Sequence, residues 1–80
     1  MLDRCLFALN LRSGRMLRGM TREQLAEKAG TGPEMVGRYE RGESTPPIRT
    51  MVALADALGT TTSHLSGRGG VERELLFISE

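Results

Sequence analysis

Glu34, Gly37, Arg38 and Arg41 recur at three- and four-residue spacing, which on a helix gathers them along one face. Two guanidinium groups and one carboxylate so placed can pair with charges and hydrogen-bond to polar edges, but they do not break bonds. The residue types that could break bonds are scattered. Ser63, His64 and Asp56 would suit a hydrolytic triad, yet nothing in their spacing brings them together, and 80 residues leave little room for a substrate cleft. His64 is the only histidine and, without Cys or Asp neighbours, reads as a surface residue. Cys5 is the only cysteine, which excludes an internal disulfide and a cysteine-rich zinc site; it reads as a buried thiol near the start of the first helix. Five Met at helical spacing fit an aliphatic core rather than a cofactor or metal site. The run Gly67, Arg68, Gly69, Gly70 lacks the preceding strand and following helix of a phosphate-cradling loop. No catalytic residue, metal or cofactor is assigned, and the expectation is a protein that binds and is not an enzyme.

Charge suggests what is bound. The net charge is only +1, but residues 1–42 hold eight basic and five acidic side chains, a balance of +3. Residues 43–80 hold three basic and five acidic, a balance of −2. The basic half carries the arginine face, and a positive surface suits a phosphate backbone. An apolar fraction of 39% with only 4% aromatics calls for a small core of Leu, Met, Val and Ala. One domain is all this length supports. No apolar run reaches the length of a membrane span, and Arg4, Arg12, Arg15 and Arg18 interrupt the first twenty residues, which show no small-residue cleavage site. The chain is expected to be soluble, unexported and cytoplasmic, without membrane contact.

Five helices are expected to position that face. The first runs from about Arg4 to Arg18, capped by Asp3, buries Phe7 and Leu11, and stops at Gly19. Within it Gly14 costs about 1 kcal/mol of helix propensity against Ala. The second spans about Arg22 to Ala29, with Thr21 and Gln24 spaced as a capping box and Leu25, Ala26 and Ala29 inward. The third runs from about Pro33 to Glu40, capped by Thr31 or Gly32, with Pro33 in its first turn and Val36 and Tyr39 inward. After a turn-rich loop, a fourth covers about Ile48 to Leu58 with a Met51, Leu54, Ala55, Leu58 stripe, and Gly59 stops it. A short fifth, around Thr62 to Ser66, is capped by Thr61 and anchored by Leu65.

Between the second and third helices, Ala26, Gly30 and Val36 hold a diagnostic spacing. Ala26 is small enough for a second helix to cross closely. Gly30 can adopt the positive φ that ends one helix and redirects the chain, and Val36 falls on the inner face of the next. This is the helix-turn-helix spacing, and it points to DNA.

Taken with Leu11, Arg15, Met20, Thr21, Leu25, the Glu40-Arg41-Gly42 turn, Pro46, Met51, Leu54, Ala55, Leu58 and Gly59, residues 5–66 resemble the lambda-repressor-like (Cro-type) helix-turn-helix family. The resemblance implies an all-α, compact five-helix domain over residues 1–66, with the second and third helices as the helix-turn-helix. It implies an ion pair between Arg15 and Glu40 that fixes the recognition helix on its scaffold. It also implies contacts to double-stranded DNA. Arg22 would reach a phosphate; Pro33, Glu34, Gly37 and Arg38 would enter the major groove, with Arg38 on guanine and Glu34 on cytosine. Thr31, Met35 and Gly37 would touch a thymine methyl or admit a close approach. Thr21 stands at the same helix start, while Arg41, Ser44 and Thr45 would hold phosphates. The chain departs from the family where Pro33 replaces a frequent Gln, Gly37 a Ser, Glu43 a Lys and Gly14 a core Leu, a space Met16 and Leu17 stand near enough to fill in part.

The implied function is a repressor-like, sequence-specific transcriptional regulator binding a palindromic operator as a homodimer. A phage or plasmid repressor, a restriction–modification controller and a DNA-binding antitoxin with a toxin partner fit equally. The alternative is a protein-interaction module that keeps the fold with weak DNA readout. Residues 67–70 read as a linker. Val71, Leu75, Leu76, Phe77 and Ile78 make residues 71–80 an apolar tail, expected to dimerise or to fold back on the first and fifth helices.

Overall fold

The computed structural model describes residues 4–66. Five helices follow in order: α1 (Arg4–Leu17), α2 (Arg22–Ala29), α3 (Pro33–Glu40), α4 (Ile48–Leu58) and α5 (Thr62–Ser66). Asp3 and the tail, on which a cap and a dimerisation element were placed, lie outside the described residues.

The helix ends follow local chemistry. Thr21 Oγ1 accepts from the Gln24 backbone N–H at 3.0 Å while Gln24 Oε1 accepts from the Thr21 N–H at 2.9 Å, so two otherwise unpaired donors are satisfied reciprocally. Gly30, at φ +72°, ends α2 in the left-handed region, and the next amide, Thr31 N–H, donates back to the Ala26 carbonyl at 2.9 Å. Gly32, not Thr31, takes the cap position of α3, with extended backbone, and Pro33 follows in the first turn. The Thr61 hydroxyl accepts from the His64 N–H at 3.1 Å to start α5.

Each helix contributes one apolar stripe to a shared core. Phe7 and Leu11 of α1 meet Leu25 and Ala26 of α2, Val36 and Tyr39 of α3, Met51, Leu54, Ala55 and Leu58 of α4, and Leu65 of α5. The Phe7 and Tyr39 rings meet edge to face with centroids 6.2 Å apart, an arrangement that suits the ring quadrupoles and adds to their burial. Ala26 is 1% exposed at the α2–α3 crossing, where a larger side chain would hold the helices apart.

Three expectations are corrected. Cys5 is exposed, because it lies about 200° around α1 from Phe7, off the buried stripe. His64 is half-buried, because α5 docks on α1 and the Asn10 amide donates to the His64 carbonyl at 3.0 Å. Met16 and Leu17 do not fill the space at Gly14, since Leu17 is 87% exposed; Leu58 of α4 covers the glycine instead.

Candidate nucleic-acid interface

Glu40, the last residue of α3, has a side chain only 1% exposed. Arg15 binds it bidentately through its side edge, Nε to Oε2 at 2.6 Å and Nη2 to Oε1 at 3.3 Å, while Arg15 Nη1 donates to the Met20 carbonyl at 2.8 Å. One guanidinium thus ties α1, the α1–α2 turn and the end of α3. Arg22, at the start of α2, donates from Nε to Glu40 Oε1 at 3.2 Å and remains 48% exposed. Among the described residues, its two terminal nitrogens make no hydrogen bond to the fold. A buried carboxylate is costly unless paired and hydrogen-bonded, and here two arginines serve it.

Outside this lock, the start of α2 and the outer face of α3 enclose a shallow depression of about 480 Å³ lined by Arg22, Glu23, Pro33, Glu34, Gly37, Arg38 and Arg41. Three cations face two carboxylates there. Pro33, Glu34 and Arg38 are exposed on the outer face, while Gly37 between them is buried beneath the Arg41 side chain. Thr21 is exposed at the same end, its hydroxyl engaged in the α2 cap. Thr31 and Ser44 are half-buried, and Thr45 is exposed in the loop that follows α3. Met35 is half-buried and packs against the core.

The α3–α4 loop supplies two features that spacing alone did not single out. Gly42, at φ +74°, reverses the chain so that Glu43 N–H donates to the Arg38 carbonyl at 3.0 Å. This reversal sets the Glu43 carboxylate against Arg41, Nε to Oε2 at 2.7 Å and Nη2 to Oε1 at 3.4 Å. The hydrogen bond from Arg41 holds the Glu43 carboxyl below its usual range; desolvation opposes it, and the charges of Arg41 and Arg38 add smaller help. Glu23, in the depression, is signalled in the sequence only as an exposed first-turn acid. The Arg22–Glu40 contact spans 18 residues and carries no local signal.

A helix-turn-helix family profile matches residues 11–65. The control protein C.SmaI of Serratia marcescens is 36% identical over 69 residues, 86% of this chain and 82% of that one. The chain belongs to the lambda-repressor-like helix-turn-helix family. Among solved structures, the restriction–modification controller C.AhdI of Aeromonas hydrophila superposes with a TM-score of 0.75 at 32% identity, over 79% of this chain and 96% of that one. The P22 c2 repressor, solved with a synthetic operator, gives a TM-score of 0.76 over 79% of this chain and 96% of that one; at 22% identity it shows the shared fold. Membership makes this chain a DNA-binding transcriptional regulator in type. No helix among the described residues is long and apolar enough to cross a membrane, and no cluster of His, Cys, Asp and Glu among them could hold a metal ion.

Proposed function

We propose that the chain is a control protein of the restriction–modification type, binding a two-fold symmetric operator as a homodimer through the outer face of α3. The observation that carries this reading is the depression in which Arg22, Arg38 and Arg41 stand together beside a helix whose end is locked by buried Glu40. A recognition helix needs both parts. It must be held rigidly, and it must present donors of fixed geometry to base edges. The likeness to two control proteins, one of them a restriction–modification controller, favours that role over the phage-repressor and antitoxin readings.

Within the interface, Arg38 is assigned to guanine O6 and N7, with Glu34 within reach of a cytosine amino group. Arg22, oriented by Glu40, and the loop residues Ser44 and Thr45 are assigned to phosphates. A short recognition helix reads only a few base pairs, so pairing two half-sites across a dyad supplies the remaining specificity. The test is selection of preferred sequences from a random duplex pool, followed by anisotropy titration at several salt concentrations. The expected result is a symmetric site, preferred over unrelated duplex by more than 10³-fold, with affinity falling steeply as salt rises. A flat selection with shallow salt dependence would replace this reading with a protein-interaction module.

A further inference from the structure

We infer that Arg41 is a base-reading residue, held for guanine by a seat made of Glu43 and Gly37, and not a phosphate anchor. The inference rests on the groove-binding reading of α3 above. Glu43 occupies the side edge of the guanidinium, Nε at 2.7 Å and Nη2 at 3.4 Å. A guanidinium has five N–H donors in a planar fork. With Nε and one proton of Nη2 engaged, both protons of Nη1 and the second proton of Nη2 remain, and one from each nitrogen forms the end edge. That edge has the spacing to meet O6 and N7 of one guanine together.

Gly37 supplies the second half of the seat. Arg41 Nη1 lies 3.1 Å from where a Cβ would stand on Gly37, so the guanidinium rests against bare helix backbone one turn below its own Cα. A Ser or Ala there would push it aside by a few tenths of an ångström. Arg41 is thereby directed along the same outer face as Glu34 and Arg38, and it lines the same depression.

Charge decides between a base and a phosphate. A phosphate drawn to Arg41 would come close to the Glu43 carboxylate, and the two anions would repel. The acceptor edge of guanine is neutral and tolerates the carboxylate beside it. An arginine matched one-to-one by an exposed acid is therefore a weak phosphate anchor and a well-oriented hydrogen-bond donor, unlike Arg22, whose carboxylate partner is buried and already paired with Arg15.

The test uses the full chain and the duplex selected by the wild type, with an unrelated duplex of equal length as reference. Affinities are measured for wild type, Glu43→Gln, Gly37→Ala, Arg41→Ala and the two double variants on Arg41→Ala. Glu43→Gln is expected to lower the ratio of specific to non-specific affinity roughly tenfold, the low end of what one bidentate base contact provides, although it removes a negative charge from a DNA-facing surface. Gly37→Ala is expected to lower the same ratio, and both losses should vanish in the Arg41→Ala background. Thermal melting of each variant reports folding, which the exposed pair does not control. Tighter binding of Glu43→Gln to both duplexes alike would overturn the seat and return Arg41 to a phosphate. A wild type that selects no sequence would remove the groove reading and this one together.

Discussion

Two carboxylates three residues apart, Glu40 and Glu43, each hold an arginine fork through Nε and Nη2, yet they act at opposite levels of the molecule. Glu40 is 1% exposed and joins α1, α2 and α3. Glu43 is 52% exposed and joins only its neighbour two residues away. The bonds are nearly alike in length, so geometry does not separate them; solvent does. A buried pair whose partner is removed leaves a desolvated charge, whereas an exposed pair trades its hydrogen bonds for water. The inner pair should therefore govern stability and the outer pair recognition. Two glycines repeat the contrast, half-buried Gly14 beneath a Leu58 methyl from another helix and Gly37 beneath the Arg41 guanidinium on the outer face of α3.

The largest effect expected is at the inner pair. Glu40→Ala should lose about 3–5 kcal/mol of unfolding free energy, read by denaturant titration, because Arg15, 13% exposed, is left without its carboxylate. Arg15→Ala should cost less, since Arg22 already touches the same carboxylate at 3.2 Å. Arg22→Ala alone should cost under about 1 kcal/mol, as a half-exposed pair does. Joining Arg15→Ala to Arg22→Ala strands Glu40, and the loss should exceed the sum of the singles. Strict additivity would show that the two arginines do not share the carboxylate and would erase the contrast between inner and outer pairs.

Next in size is Arg38→Ala, which tests whether the interface acts independently of the lock. It should cost about 1–3 kcal/mol of binding at the selected site and relax preference at one position of each half-site. Melting should not move, since Arg38 is exposed. Arg22→Ala should instead weaken all duplexes and reduce the salt slope by about one. Equal loss on specific and unrelated DNA for Arg38→Ala would move it from the bases to the backbone.

The inner region was largely legible in the sequence, and of the outer one the residues were but their orientation was not, for a physical reason. Helix limits follow from local signals such as the Thr21–Gln24 box, Gly30 and Gly59, and core residues follow from helical period. The Arg15–Glu40 pairing came through family resemblance, because no local pattern joins residues 25 apart. The orientation of Arg41 depends on the chain reversal at Gly42 and on the empty side of Gly37, two backbone facts that residue types do not announce. Met35 stands beside exposed Glu34 in sequence, and only packing shows that its side chain also leans on the core. Gly14 was read against Met16 and Leu17, its sequence neighbours, while the residue that covers it comes from α4.

The smallest effect sharpens the contrast most, because the two glycines then differ in kind rather than in size. Replacing a helix-interior Gly by Ala favours the helix by up to about 1 kcal/mol. At Gly14 the added methyl would meet Leu58 Cδ1 at 3.2 Å, close enough that the leucine must give by a few tenths of an ångström. Leu58 borders a cleft of about 250 Å³ between α1, α4 and α5, into which its methyl can turn. Gly14→Ala should therefore stabilise, by less than the full propensity gain, and leave DNA affinity unchanged. At Gly37 the methyl would meet Arg41 Nη1 at 3.1 Å, the far end of a flexible exposed side chain, so stability should rise similarly while recognition falls. Melting temperature and the specific-to-unrelated affinity ratio, measured on both variants, check this together. If Gly14→Ala lowers the melting temperature, Leu58 is held more tightly than the neighbouring space suggests, and Gly14 is a close-packing residue. If both variants bind DNA like the wild type, Gly37 is no more than a second helix glycine, and the outer region loses the feature that sets it apart from the inner one.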